Sequence, residues 1–261
     1  MSVQIKADGN ANLIGSLWMI AAMAVFAIED ALIKAVSATL PMGQILIIFG
    51  GFGAAIFALI ARSKGQSLRN PDVLSKPMRI RAGFEITGRL FYFLALAMIP
   101  LSAATVILQA TPLVVVAGAA IVFGEQVGWR RWTAIFIGLA GVLIIIQPGS
   151  DGFSALSILA VIGMLGFAGR DLASRAAPAS LSATVLGVYG FLAVVVAGVA
   201  FSLWDQAPFV RPDSQTAATL LGAILAGVAA YTCLMTAMRT GEVSAVTPFR
   251  YTRLIFGIAL G

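Results

Sequence analysis

The fold is decided by residues 13–36, LIGSLWMIAAMAVFAIEDALIKAV, an apolar stretch whose charged residues all lie near its end. At about 1.5 Å per residue, an α-helix of this length crosses the ~30 Å hydrocarbon core of a bilayer. Similar stretches recur along the chain, which is 60% hydrophobic and 11% charged, whereas soluble domains are about 25% charged. The sequence therefore predicts an all-α polytopic membrane protein and excludes a soluble globular domain.

Continuous apolar runs, rather than alternating apolar and polar residues, also exclude a transmembrane β-barrel. Nine spans are predicted, at 13–36, 42–61, 82–99, 102–123, 132–147, 154–174, 181–203, 217–238 and 243–261.

Basic residues in the connections between spans predict the topology. The connection between spans two and three contains one acid, Asp72, and six basic residues: Arg62, Lys64, Arg69, Lys76, Arg79 and Arg81. Cytoplasmic loops carry this excess of Lys and Arg. We therefore expect this loop and the N-terminus to face the cytoplasm, and interpret the net charge of +6 as orientation charge rather than as a sign of nucleic-acid binding.

Composition removes several classes of chemistry. The chain has one cysteine, Cys233, and no histidine, which excludes disulfide frameworks, thiolate metal sites and imidazole catalysis. It also lacks the G-x-x-x-x-G-K-[ST] motif that binds nucleotide phosphates. The sequence therefore predicts neither a metal site, a cofactor, nor an ATP-driven motor.

A repeat divides the chain. Residues 26–34, FAIEDALIK, return as FAGRDLASR at 167–175, so that a Phe, an Asp and a basic residue align at an offset of 141. Five spans per unit is an odd number, so the second unit enters the membrane from the opposite side, as in many transporters. Chance similarity between apolar stretches is the alternative. We expect a 5+5 inverted-topology repeat with units at 1–150 and 151–261, the second lacking its last helix, about one span, at the C-terminus.

Two further motifs carry a family resemblance. Span four begins Leu101-Ser102-Ala103-Ala104-Thr105 and ends Phe123-Gly124-Glu125, and span five ends in Gln147-Pro148-Gly149. This wording resembles the EamA family of the drug/metabolite transporter superfamily. The resemblance implies a secondary carrier, in most cases of a bacterial inner membrane, for amino acids, vitamins, nucleotide-like metabolites or drugs. It also implies a central cavity surrounded by spans three, four, eight and nine.

Charged side chains within spans are costly and therefore indicate function. Arg250 and Arg253 lie about 10 and 15 Å deep in span nine and share a helix face. Paired guanidiniums bind a carboxylate or phosphate in a bidentate manner, so these two are the leading substrate-binding candidates. The other candidates are Glu85, Arg89 and Tyr92 on one stripe of span three, Gln109 in span four, and Tyr251, Tyr231 and Trp18. Glu85 and Arg89 are spaced to pair within the helix. For the four aromatic residues, packing or interface anchoring is the alternative.

Repeat-related charges in spans one and six form a second group. Its members are Glu29, Asp30, Lys34, Arg170, Asp171 and Arg175. Asp30 with Lys34 and Asp171 with Arg175 are spaced as i,i+4 pairs, which predicts a gate or lock between the repeats; fixing helix register is the alternative, and the two basic residues can instead snorkel to the membrane surface. Glu29, Glu85 and Asp171 are the candidates for carrying a coupling proton, a role the sequence leaves open.

The sequence thus favours a secondary active transporter that moves a small anionic or zwitterionic metabolite across the bacterial inner membrane by alternating access. Its partners would be the small-molecule substrate and the lipid bilayer, with no nucleic acid; the oligomeric state stays open. Two alternatives come from other classes: an intramembrane enzyme acting on lipid phosphates, and a non-transporting assembly or receptor subunit.

Overall fold

The structure is a computed structural model that describes residues 9–99, 101–146 and 154–260. Over these ranges the chain is helical and contains no strand. The helices are α1 (Gly9–Ser37), α2 (Met42–Ser63), α3 (Lys76–Met98), α4 (Leu101–Leu108), α5 (Thr111–Phe123), α6 (Trp129–Ile146), α7 (Ser157–Arg175), α8 (Ala183–Asp205), α9 (Ser214–Thr240), α10 (Val243–Val246) and α11 (Thr252–Leu260). Some predicted features lie outside the described residues. They are the Gln147-Pro148-Gly149 motif, the connection between predicted spans five and six, and the side chains of Ser102 and Thr105.

The predicted spans coincide with these helices when α4 with α5, and α10 with α11, are each counted as one. Among the described residues, six helical stretches are long and apolar enough to cross a membrane: Gly9–Ser37, Met42–Ser63, Val106–Phe123, Ser157–Arg175, Ala183–Asp205 and Ser214–Thr240. The chain is therefore a multi-pass membrane protein.

Spans four and nine are broken, and both breaks lie beside a proline. In span four the Gln109 and Ala110 N–H groups bond three residues back, at 3.1 and 3.0 Å, and α5 then begins at Thr111 with Pro112 in its first turn. In span nine a 3-10 turn at Thr247–Tyr251 contains Pro248, which lacks the N–H that a helix needs. Gln109 therefore lies at a helix break, and span four is not one continuous helix.

Three antiparallel helix pairs build the bundle. α1 packs against α9, α2 against α8, and α3 against α7. Between α2 and α8 the Phe49 and Phe191 rings stack with their centroids 5.1 Å apart, and Phe57 packs on the same ring at 5.4 Å. The largest hydrophobic core runs through these central helices.

Small residues allow α3 and α7 to approach closely. Glycines spaced three residues apart in span six, at 163, 166 and 169, predict such an approach, as do Gly138 and Gly141 in span five. A Cβ on Gly166 would lie 2.5 Å from the Gly88 Cα and N, so only glycine fits this crossing. Gly163 lies against the Tyr92 backbone and Gly169 against the Phe84 ring. The close approach is confirmed for these three, whereas Gly141 faces open space.

Side-chain caps fix the start of two long helices. Ser182 accepts a hydrogen bond from the Val185 N–H at 3.2 Å, and Asp213 accepts one from the Thr216 N–H at 2.8 Å. Such caps satisfy N–H groups that have no partner within the helix. Hydrogen bonds from the side chain and backbone of Thr216 hold the pKa of the exposed Asp213 carboxyl below its usual value.

Candidate functional site

Glu85 of α3 lies at the centre of a group of arginines inside the bundle. Its Oε1 is 3.2 Å from the Arg170 Nη1 and 3.5 Å from the Arg89 Nε, and its Oε2 is 3.8 Å from the Arg81 Nη2. The Glu85 side chain is fully buried. A carboxylate can remain charged in such a place only when cations and hydrogen bonds compensate for lost hydration, and three guanidiniums do so here.

Asp171 of α7 extends this group toward span nine. Its Oδ1 is 2.9 Å from the Arg170 guanidinium, and its Oδ2 accepts a hydrogen bond from the Arg250 guanidinium. We call the connected set of six side chains the arginine cluster; it consists of Arg81, Glu85, Arg89, Arg170, Asp171 and Arg250. With four guanidiniums and two carboxylates, its formal charge is +2.

Several polar atoms of the arginine cluster have no hydrogen-bond partner among the described residues. The Arg81 Nη2, the Glu85 Oε2 and the Arg250 Nε are buried without a hydrogen bond among the described residues. The hydroxyl of Tyr231, whose ring lies 5.9 Å from the Arg81 guanidinium carbon, is also unpaired. Buried polar groups nearly always have a partner, so these atoms have the capacity to form hydrogen bonds with water or a polar ligand.

Sequence reasoning missed Arg81. The predicted third span began at residue 82, so Arg81 was assigned to the cytoplasmic loop, whereas α3 begins at Lys76 and buries it. Its Nε donates to the Ser174 Oγ at 2.9 Å, and the Ser174 Oγ in turn donates to the Arg170 carbonyl at 2.7 Å. The available signal was the spacing of four residues to Glu85, which continues the polar stripe of span three.

A second ion pair lies at the other end of span nine's polar face. Arg253 bonds to Asp30 of α1, and its guanidinium carbon stands 5.1 Å from the centre of the Phe26 ring. The two side chains are 35% and 56% exposed, whereas those of Arg250 and Asp171 are 12% and 0% exposed. One arginine pair is thus covered by the protein and the other is open.

These partners correct the pairing predicted from sequence. Within the described residues Asp30 forms its ion pair with Arg253 rather than with Lys34, which is exposed. Asp171 pairs with Arg250 and Arg170, while Arg175 donates to the Met238 carbonyl at 3.5 Å. The predicted i,i+4 pairs were wrong because arginines of span nine bind the two acids, Asp30 and Asp171. The pair predicted within α3, Glu85 with Arg89, is confirmed.

Two of the predicted aromatic residues, Tyr92 and Tyr231, lie beside the arginine cluster. Tyr92 packs edge-on to Phe167 at 5.8 Å, and the Arg89 and Arg170 guanidiniums lie 5.7 and 5.1 Å from the same ring. Tyr231 joins the phenylalanines between α2 and α8. Both therefore border the arginine cluster.

The structure does not bring Tyr251 and Trp18 to the arginine cluster. The Tyr251 ring lies against Gly138 of α6, and its buried hydroxyl forms no hydrogen bond with the residues that the structure describes. Trp18 is 41% exposed beside the exposed Leu17, on an apolar surface of α1. It lies twelve residues from Asp30, which is about 18 Å along the helix, and fits an anchor at the membrane interface better than a substrate contact.

Glu125, from the family motif, forms contacts that the sequence did not predict. Its two carboxylate oxygens accept the Val243 and Ser244 N–H groups, each at 2.9 Å. Arg131 donates to the Ser244 Oγ at 2.5 Å and pairs with Glu242. We call these contacts the Glu125 clamp; they tie the connection between spans four and five to the start of span nine.

Comparison with known proteins agrees with this architecture. The model of the EamA-like transporter family matches residues 13–147, and the chain belongs to that family. It is 30% identical to the pseudopaline exporter of Pseudomonas aeruginosa, over 95% of this chain and 86% of the exporter. It is 26% identical to a riboflavin transporter of Vibrio cholerae, over 95% and 83%.

Two further similarities are more distant. An S-adenosylmethionine uptake transporter of Rickettsia prowazekii is 24% identical, over 61% of this chain and 53% of that protein. A protein of known crystal structure superposes with a TM-score of 0.78 at 20% identity, over 97% of this chain and 88% of that one. The latter similarity supports the fold.

Proposed function

We propose that this protein is a secondary active transporter for a small metabolite that carries at least one anionic group. The observation that carries the proposal is the arginine cluster, which has a formal charge of +2 and contains donors on Arg81 and Arg250 that have no hydrogen-bond partner among the described residues. Uncompensated charge within a membrane bundle is costly. A carboxylate or phosphate on the substrate would supply the missing negative charge and accept the free N–H groups.

The half-open pair of Arg253 and Asp30 suits a zwitterionic substrate. A substrate carboxylate can take the place of Asp30 on the guanidinium, while a substrate ammonium group takes the place of Arg253 on the carboxylate. Neither charge is then left unpaired, which is the condition for exchanging ion pairs at low cost inside a protein. Binding of this kind requires both members of the pair.

The packing of the helices supports the inverted repeat and alternating access. In the proposed repeat, spans one, two and three (α1, α2 and α3) correspond to spans six, seven and eight (α7, α8 and α9). Under this correspondence the α1 and α9 pair is equivalent to the α7 and α3 pair, and the α2 and α8 pair is equivalent to itself. An arginine guanidinium lies over the ring of Phe26 and another over the ring of its repeat equivalent, Phe167. The repeat-equivalent acids Asp30 and Asp171 each bond to an arginine of span nine. The two acids would therefore serve as gates, closed in turn as the units at 1–150 and 151–261 rock.

The covered pair of Arg250 and Asp171 and the Glu125 clamp lie toward the ends of α7 and span nine that the basic loops assign to the cytoplasm. In this conformation the carrier would be closed to the cytoplasm and open to the opposite side. We place it in the bacterial inner membrane with its N-terminus in the cytoplasm. The named relatives include an exporter and uptake transporters, and transporters as relatives favour a carrier over the alternative of an intramembrane enzyme.

The test is transport by the purified full-length chain in lipid vesicles. Radiolabelled pseudopaline, riboflavin, S-adenosylmethionine, amino acids and nucleotides form the panel, each measured for entry and for exit. We expect saturable movement of at least one anionic or zwitterionic compound, above that in protein-free vesicles. Transport of uncharged compounds alone would overturn the assignment of an anionic substrate. The lipid-phosphate enzyme is tested separately by phosphate release from a prenyl diphosphate.

A further inference from the structure

Glu29 stands apart from the other intramembrane acids because none of the described cations is paired with it. Its side chain is buried, and its Oε2 has no hydrogen-bond partner among the described residues. The carboxyl carbon lies 3.4 Å from where a Cβ on Gly227 of α9 would stand, and the edge of the Phe49 ring from α2 borders the same point. The carboxyl group is therefore enclosed by a helix backbone and an aromatic ring, neither of which offers it a positive charge.

The charged groups around Glu29 form ion pairs with other residues. On its own helix Asp30 is paired with Arg253, and from α3 Arg89 is paired with Glu85. Both arginines are within electrostatic range of Glu29 without bonding to it. From the 3-10 turn of span nine, Arg250 is paired with Asp171.

The helices that enclose the carboxyl contribute no ionised partner. At the point of contact α9 presents Gly227, and α2 presents Phe49. Tyr231 of α9 points instead to the Arg81 guanidinium. The position equivalent to Glu29 in the second repeat is Arg170, whose guanidinium bonds to both Asp171 and Glu85. The acid without a partner is therefore a feature of the first repeat alone.

An ionised carboxylate in this position would lack both water and a counter-charge, which costs several kcal/mol, whereas the neutral acid avoids that cost. We propose that Glu29 binds a proton in the conformation described here and releases it to water when α1 and α9 separate. Binding forms one O–H bond with a proton taken from the solvent on one side, and release returns that proton to the solvent on the other. Proton movement is thereby linked to the conformational change, which rests on the proposed carrier function.

Infrared difference spectroscopy tests the protonation without any substrate. The purified protein at neutral pH should show the C=O stretching band of a protonated carboxylic acid, and the Glu29→Gln variant should lose that band. Asp205→Asn is the matched control, because Asp205 is exposed at the end of α8 and its removal should leave the band in place. Absence of the band from the wild type, or its persistence in Glu29→Gln, would overturn the proposal.

A folding failure of Glu29→Gln would not block the test. Size-exclusion chromatography identifies it, and Glu29→Asp then replaces it, since an aspartic acid at this position should shift the band in frequency rather than remove it. An unshifted band in Glu29→Asp would also overturn the assignment.

Vesicle transport tests the linkage. With no membrane potential and one proton moved per substrate, a gradient of about one pH unit sustains up to about a tenfold concentration ratio of substrate. We expect the wild type to develop such a ratio for the compound found in the panel, and Glu29→Gln to bring the compound only to equal concentrations. If the pH gradient does not change the concentration ratio that the wild type develops, the proposed linkage is overturned, whereas the proposed carrier function is not affected. If no compound in the panel is transported, the carrier proposal fails, and the infrared band still decides whether Glu29 holds a proton.

Discussion

Arg250 and Arg253 are one helical turn apart, and each bonds to an aspartate. The two aspartates occupy equivalent positions in the proposed repeat. Asp171 and Asp30 are 141 positions apart in the chain, yet both meet span nine. The first pair is covered by protein and the second is open. Because the two arginines belong to one short segment, a shift of span nine that opens one pair acts directly on the other.

The covered pair should contribute to stability as well as to function. Arg250→Ala leaves Asp171 buried with Arg170 as its remaining partner, so we expect a loss near or below the lower end of the ~3–5 kcal/mol found for broken buried pairs. Neutralising the acid as well, in Arg250→Ala with Asp171→Asn, should restore part of that loss. Chemical denaturation in detergent measures both. Equal stability of the wild type and Arg250→Ala would contradict the pairing.

The residue types of the site could be read from the sequence, but their partners could not. Arg250, Arg253, Glu85 and Arg89 stood out because charge is rare in apolar spans. Their bonds to Asp171 and Asp30 cross between distant helices, and sequence spacing is informative only within one helix. Arg81 was missed because a hydropathy window ends at a charged residue, although the helix continues through it.

At the scale of helices, the distance between α3 and α7 holds the arginine cluster together. Gly166→Ala would place a methyl group against the Gly88 backbone, and the helices must then move apart. We expect a loss of about 1–3 kcal/mol in unfolding free energy, together with weaker substrate binding as Glu85 moves from Arg170.

Gly83→Ala is the matched control for this prediction. It lies on α3 with nothing near its added methyl group, and alanine favours a helix more than glycine does. In thermal unfolding, the Tm of Gly83→Ala should equal or exceed that of the wild type. Similar loss in both variants would show that the close approach is not the cause.

The Glu125 clamp should protect the first amides of span nine. Glu125→Gln keeps one acceptor oxygen, so one of the two hydrogen bonds is lost and the other no longer has a charged acceptor; hydrogen bonds to a charged group are worth about 1.5–3 kcal/mol each. We therefore expect the Val243 and Ser244 amides to exchange with deuterium at least about tenfold faster. Glu242→Gln is the control, because it removes the partner of Arg131 and leaves both N–H bonds intact. Unchanged exchange in Glu125→Gln would rule out the clamp.

The positions of the helices were predictable to within a few residues, and the breaks only in part. Pro248 indicated the opening in span nine, since proline removes a helix donor. The turn at Gln109 and Ala110 precedes Pro112 by two residues, and proline is also common in the first turn of an ordinary helix. The sequence alone therefore did not separate α4 from α5.

For the whole molecule, the proposed topology has the N-terminus in the cytoplasm and the two repeat units in opposite orientations. Single cysteines in a Cys233→Ser background test the topology, with Ser67→Cys in the loop after α2 and Gln215→Cys at the start of α9. In spheroplasts, a membrane-impermeant maleimide should label Gln215→Cys at once and Ser67→Cys only after lysis. The reverse pattern would place the N-terminus outside.

The central claim is that an anionic group on the substrate binds the arginines of span nine. The most direct measurement is transport of the identified substrate by vesicles containing Arg250→Ala, Arg253→Ala or Arg250→Lys, with Arg211→Ala as control, since Arg211 is exposed in the loop before α9. We predict that transport falls about tenfold or more in each alanine variant at the site, falls less in Arg250→Lys, and is unchanged in Arg211→Ala. Wild-type transport by both Arg250→Ala and Arg253→Ala would contradict the claim.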